Sequence, residues 1–210
     1  MTTINGFINA INDELNKNKE YLTELDGLIG DADHGINMAR GFNAVVTKIT
    51  DEDTDIGATL KKVGMTLIST VGGAAGPLYG TAFMKAGGAS VGMTRLDSET
   101  VEKMISLALT GIKDRGKAMK GEKTMIDAIE PALEAVRVGI ENGNSLIECL
   151  EMAIVAAEEG VEFTKSIRAT KGRASYLGDR SIGHQDPGAT SSLIILKAVT
   201  AHYKTKVLEV

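Results

Sequence analysis

Residues 26–37 read Asp-Gly-Leu-Ile-Gly-Asp-Ala-Asp-His-Gly-Ile-Asn, which brings three carboxylates and a histidine onto a glycine-rich turn ahead of a helix expected from about Ile36. Asp26, Asp31 and Asp33 can supply the hard oxygen ligands that Mg²⁺ prefers. Gly30 and Gly35 would leave a phosphate chain room to approach the backbone. The same residues could instead form a turn and cap the helix. Two further segments favour the chemical reading.

Val71–Gly80 places Gly72, Gly73, Gly76 and Gly80 around Pro77, just before a helix expected from about Leu78. Backbone N–H groups at such a helix start form an anion site, although glycines there could equally serve close helix packing. Lys171–Gly188 carries Arg173, Arg180, His184 and Asp186 in a connection too long for a simple turn. The Arg173 guanidinium could stabilise charge on a transferring phosphoryl group, or pair at the surface with Asp179 or a nearby glutamate. Asp186-Pro187-Gly188 is a rigid turn feeding the last helix. Gly111–Ala118 nearly matches a phosphate-binding P-loop, but Ala118 lacks the hydroxyl that would hold Mg²⁺ and no strand precedes it, so it reads as a helix end and a loop to Thr124. His202 reads as a partly exposed structural residue on the last helix. His34 directly follows two candidate metal ligands.

The elements that must position these loops are helical. Apolar residues recur at helical spacing through Ile4–Leu15, Phe42–Ile49, Leu60–Val71, Val101–Ile112 and Ile126–Val136, and from Leu146 to about Lys165. Leu193–Leu196 continues through Tyr203 without a turn signal, which favours a final helix over a strand. The class is all-α. In an up-and-down bundle alternate loops fall at one end, so loops distant in sequence can meet around one ligand. At 210 residues the chain fits one domain, 1–210, with no repeat or linker. A net charge of −5 and the lack of a basic tract argue against nucleic acid as a partner. Cys149, the single cysteine, reads as a buried thiol. No apolar run spans a bilayer and Met1–Asn5 lacks a basic leader, so a cytoplasmic protein without a membrane partner is expected.

Together Gly30–Gly35, Gly72–Gly80, Gly121-Glu-Lys-Thr-Met125, Lys171–Gly178 and Gly183–Gly188 resemble, in order and over nearly the whole chain, the nucleotide-binding L subunits of dihydroxyacetone kinase. The resemblance implies a barrel of about eight antiparallel helices with ADP or ATP held by loops at one end. It implies that Asp26, Asp31 and Asp33 hold Mg²⁺, two ions in all, with His34 and Asn37 beside them. Gly73, Ala74, Ala75 and Gly76 would wrap the phosphates. Leu78 and Met125 would flank the base with Thr124 nearby, and Arg173 with Asp186, Pro187 and Gly188 would close the site. Asp31, Asp33 and Arg173 would carry catalysis. Ala75 stands where many relatives have serine, and Glu122 replaces a common aspartate. By the same resemblance a K subunit binds dihydroxyacetone. The sequence ends at Val210 without a K-like domain, like the bacterial form in which a phosphotransferase M subunit, fed from phosphoenolpyruvate, rephosphorylates resident ADP. A subunit using exchangeable ATP and a non-catalytic nucleotide-binding regulator are the alternatives.

Overall fold

The computed structural model describes residues 4–208, and Met1–Thr3, part of the segment read above for a leader, lie outside them. The described residues form nine α-helices and one 3₁₀ segment, with no strand. In chain order the helices are α1 (Ile4–Lys17), α2 (Lys19–Ile29), α3 (His34–Val46), α4 (Ile56–Thr70), α5 (Ala75–Ala89), α6 (Ser98–Gly116), α7 (Ile126–Glu141), α8 (Leu146–Ser166) and α9 (Pro187–Leu208). The 3₁₀ segment, Arg173–Ser181, occupies the connection that the sequence marked only as a loop, and it is kinked at Gly178, whose φ is +58°. Apolar spacing did not mark α2, because its inward face is Leu22, Asp26 and Ile29, with a carboxylate in the middle. The helices beside the glycine-rich segments begin earlier than the sequence suggests, α3 at His34, α5 at Ala75 and α9 at Pro187. Pro187 and Gly188 are therefore the first helical residues of α9 rather than a turn before it. None of the described helices is long and apolar enough to cross a membrane.

Helices α2 to α8 pack mainly on their neighbours in sequence, whereas α1 packs on α9 and α3 and scarcely on α2, so the last helix returns to the first. The main core runs from Ile8, Leu15 and Leu22 through Phe42, Val63 and Leu67 to Ile126 and Leu133. Cys149 is buried in a second cluster with Val136, Ala153 and Ala157. An apolar cavity of about 880 Å³ lies among the helices, bordered by Phe7, Leu60, Phe83, Ile105 and Val199. The contact of α4 with α5 is nearly backbone on backbone. A Cβ at Gly64 would lie 2.5 Å from the Gly80 carbonyl oxygen and one at Gly80 would lie 2.7 Å from that of Gly64; Gly57 and Gly87 repeat the arrangement at 2.6 and 2.7 Å. Gly80 thus serves helix packing, not an anion, and it anchors the helix whose first turn reaches the site.

Side chains close several helix starts. Asp55 accepts from Ala58 N and Asp97 from Thr100 N, while Ser145 and Glu148 form a capping box on α8. Asp186 Oδ2 accepts from Ala189 N at 2.7 Å, which closes the start of α9. Nearby, the buried Lys123 donates from Nζ to the carbonyls of Thr164 and His184, tying the α6–α7 loop to the end of α8 and to the approach to α9. Asp127 accepts from Gly121 N at 2.5 Å and Thr124 N at 2.8 Å, folding the same loop from within. Burial pushes the Asp186 carboxyl up to about 7, with the Asp127 charge adding to it and the Ala189 N–H and Lys123 opposing.

Two expectations concern stability. Gly80→Ala should destabilise the chain by about 1–3 kcal/mol in urea unfolding, because the added methyl would meet both the Ile68 side chain and the Gly64 carbonyl, and the carbonyl belongs to a packed helix. An unchanged midpoint would contradict this packing. For Asp186, the folded pKa lies above the unfolded 3.8, so the native state keeps a proton that the unfolded chain has lost between about pH 4 and about pH 7. Its contribution to stability therefore falls as pH rises through that window. Asp186→Asn should gain on the wild type between about pH 4 and about pH 7 in thermal unfolding, and parallel pH profiles would contradict the assignment.

Candidate functional site

The acidic turn is built around Asp26, in the last turn of α2. Its Oδ2 accepts the backbone N–H of Asp33 at 2.9 Å and of His34 at 3.2 Å, which folds residues 30–34 back over the helix end and starts α3. A Cβ at Gly30 would collide with the Asp26 carboxylate, and one at Gly35 with the Lys19 carbonyl and Thr23. Both glycines thus make room for protein atoms, a carboxylate and a neighbouring helix, and not for a phosphate chain. Ala32 takes a left-handed φ of 59°, a conformation that disfavours a residue with a Cβ. One carboxylate oxygen from each of Asp26, Asp31 and Asp33 lies within 4.8 Å of the others. Asp26 is buried, Asp33 half-buried and Asp31 exposed. An oxygen-only set of this kind suits a hard divalent cation such as Mg²⁺.

Arg173, the first residue of the 3₁₀ segment, places Nη2 at 2.9 Å from Asp31 Oδ2. Asp179 pairs instead with Arg168, at 3.4 Å. The Arg173–Asp31 pair is solvent-exposed, so it contributes little to stability and can be exchanged for another anion at small cost.

On the second side stands the turn before α5. Gly73 has φ +64° and nothing within 4 Å of an added Cβ, whereas Gly76 fits against the carbonyl of Val71. No side chain caps α5, whose N-cap is Ala74, and Ala75 brings no hydroxyl, so backbone N–H groups are the donors on offer here. Asn37 of α3 lies against this turn, its amide atoms 3.2 and 3.3 Å from the Cβ position of Gly72. Arg40 donates to Asn37 Oδ1 at 2.6 Å and to the Thr70 carbonyl at 3.1 Å. Sequence reading missed Arg40; the signal was its place three residues after Asn37, on the same helix face.

A third side is formed by residues 121–125 and the start of α9. Leu78 lies 3.2 Å from the Cβ position of Gly116, and Met125 atoms lie 3.6 and 3.7 Å from that of Gly188. Met125 is almost wholly buried, and the Thr124 hydroxyl accepts from Ile126 N at 3.2 Å. The Asp186 carboxylate is occupied with its own helix. Glu122 accepts from Met119 N at 2.7 Å and from the Thr170 hydroxyl at 3.0 Å, so it ties this loop to the strand of chain leading into Arg173. Lys123 and Asp127 were missed because a buried charge in a loop, or in the first turn of a helix, leaves no periodic signal.

The sides are joined by a buried hydroxyl cluster. Tyr79 OH lies 2.7 Å from Ser191 Oγ, 2.8 Å from Ser192 Oγ and 3.1 Å from the Gly188 carbonyl, and His34 Nε2 lies 2.8 Å from Ser191 Oγ. Burial raises the Tyr79 hydroxyl to about 12 and lowers His34, with Asp26 and Asp33 partly opposing, so the phenol stays protonated at neutral pH. His202, by contrast, packs edge-on against Phe7 with ring centroids 4.8 Å apart.

Comparison with known proteins places the chain in a family. The DAK2 domain model matches residues 28–201. The chain is 47% identical to the ADP-binding subunit of the PEP-dependent dihydroxyacetone kinase of Escherichia coli (strain K12), over 93% of this chain and 94% of that one. It is 45% identical to the ADP-binding subunit of PEP-dependent dihydroxyacetone kinase 1 of Listeria innocua, over 92% of each. The fold matches the dihydroxyacetone kinase of C. freundii solved with AMP-PNP and Mg²⁺ at a TM-score of 0.69 and 23% identity, covering 94% of this chain and 33% of that longer one. The chain therefore belongs to the DAK2 domain family, and the relatives it resembles over nearly its whole length are ADP-binding subunits of dihydroxyacetone kinases.

Proposed function

We propose that this chain is the phosphoryl-transfer subunit of a cytoplasmic, phosphoenolpyruvate-dependent dihydroxyacetone kinase, a single domain whose helices close into a barrel with ADP held at one end. The observation that carries the reading is the convergence of three carboxylate oxygens within 4.8 Å at a turn that also receives Arg173. The relatives named above as ADP-binding subunits support the nucleotide and the reaction. Phosphate would arrive from a phosphotransferase M subunit and pass to dihydroxyacetone on a K subunit.

In this reading Asp26, Asp31 and Asp33 hold two Mg²⁺ ions. Bound there, Mg²⁺ supplies charge neutralisation for the phosphate oxygens and orients them for in-line transfer. Asp26 stays fixed by its two backbone N–H donors, while the exposed Asp31 exchanges Arg173 for metal, which frees the guanidinium to stabilise the moving phosphoryl group. The backbone of Gly73, Ala74, Ala75 and Gly76 binds phosphate at the start of α5, where the helix dipole favours negative charge. His34 and Asn37 line the α3 side, and Arg40 adds positive charge next to Asn37. Leu78, Thr124 and Met125 border the base, with Asp186, Pro187 and Gly188 closing the site. Backbone donors do the work that a serine at position 75 would share.

Asp33→Asn should abolish phosphoryl transfer and weaken ADP retention without unfolding the chain, since it removes one charged metal ligand. Wild-type activity at limiting Mg²⁺ would contradict the metal assignment. Arg173→Ala should lower turnover by roughly a hundredfold or more while changing ADP affinity much less, and Arg173→Lys should restore part of the loss. Equal kinetics would leave Arg173 a surface pair of Asp31. The purified chain should carry ADP through desalting and support dihydroxyacetone phosphorylation only with K, M and a phosphoenolpyruvate-driven relay. Sustained turnover on free ATP with K alone would identify nucleotide as an exchanging substrate. Bound nucleotide without transfer from either donor would identify a regulatory module.

A further inference from the structure

The hydroxyl cluster that joins the three helix starts carries an inference about control of nucleotide release, and it rests on the nucleotide reading above. Tyr79 stands in the second turn of α5, beyond the phosphate turn. Ser191 and Ser192 stand in the second turn of α9, beyond the closing residues 186–188, and His34 opens α3 beside Asp33. Tyr79 is 3% exposed and Ser191 is fully buried. Three hydroxyls surround the Gly188 carbonyl: Tyr79 at 3.1 Å, Ser191 at 3.1 Å and Ser192 at 2.9 Å. A carbonyl oxygen has two lone pairs, and the helical N–H of Ser192 takes one of them, so the three hydroxyls do not all donate to it and the others bond sideways. The side contacts are Tyr79 with either serine and Ser191 with His34 Nε2. In either imidazole tautomer the Ser191 contact can form, with the ring as donor or as acceptor.

We propose that Tyr79 and Ser191 are positioning residues which lock the starts of α3, α5 and α9 to one another and thereby hold the phosphate-facing and closing turns shut on bound nucleotide. α3 and α5 pack on each other only slightly, and neither packs closely on α9. Hydrogen bonds in a buried cluster have a narrow range of geometry, and they fix the register of the three ends. The cluster meets the acidic turn through His34, whose backbone N–H donates to Asp26 Oδ2 at 3.2 Å, while the hydroxyls of Tyr79, Ser191 and Ser192 bond among themselves, to His34 and to the Gly188 carbonyl. Removing the phenolic oxygen leaves Ser191 and Ser192 an acceptor in the Gly188 carbonyl, so the fold retains its buried polar balance.

The test compares wild type, Tyr79→Phe, Ser191→Ala and the double variant, each loaded with labelled ADP and Mg²⁺ and chased with unlabelled ADP. Nucleotide-free thermal unfolding is recorded alongside. Each single variant should release ADP roughly tenfold faster, the scale of one buried hydrogen bond, and the double variant should release it no faster than the quicker single one. The nucleotide-free unfolding temperatures should stay close together, which separates positioning from a loss of stability. Release at the wild-type rate in Tyr79→Phe and Ser191→Ala, from a wild type that does hold ADP, overturns this inference alone. Release rates that multiply in the double variant also overturn it, because independent contacts would then act. A wild type that holds no ADP at all overturns the nucleotide reading together with the lock.

Discussion

The site depends on crowding like charges at one turn. Three carboxylates whose oxygens approach within 4.8 Å repel one another, and the fold offsets that repulsion in separate ways. Asp26 is neutralised in part by two backbone N–H groups, which at the same time determine the shape of the turn. Asp31 is met by the Arg173 guanidinium, which arrives from a distant connection. A residual negative centre of oxygen donors remains near the surface, the kind of donor set that suits a hard divalent cation. Gly30 is required because the buried carboxylate occupies the space of its Cβ.

Around this centre the helices act as brackets for their own first turns. α5 is held on α4 through paired glycines, and no side chain closes its start. α9 is closed by Asp186, and its next turn supplies the serines that meet Tyr79. Lys123 binds the α6–α7 loop to the end of α8 and to the approach to α9, while Glu122 ties that loop to the segment entering Arg173. The contacts that shape the site are therefore mostly polar and between loops, resting on an apolar framework.

The helical class was legible because the apolar stripes of Ile8, Ile11 and Leu15, or Leu60, Val63 and Leu67, keep one period. The acidic turn was legible because its three carboxylates fall within eight residues of one another in sequence. Glycines were less readable. Gly30, Gly35 and Gly80 look in sequence like Gly73, yet their space is filled by a carboxylate, a helix backbone and a facing glycine, and only the three-dimensional neighbours separate these cases. α2 escaped notice because Asp26 interrupts its inward stripe. Partners far apart in sequence, Arg173 with Asp31 and Tyr79 with Ser191, leave no local pattern at all.

The most direct measurement of the central claim is a calorimetric titration of ADP into nucleotide-free protein with Mg²⁺ and again with the metal chelated. If the carboxylate turn grips the phosphates through metal ions, ADP binds tightly with Mg²⁺, and its affinity falls by roughly a hundredfold or more without it, since carboxylates then face phosphate oxygens with no cation between them. Equal affinity in the two titrations would contradict the account.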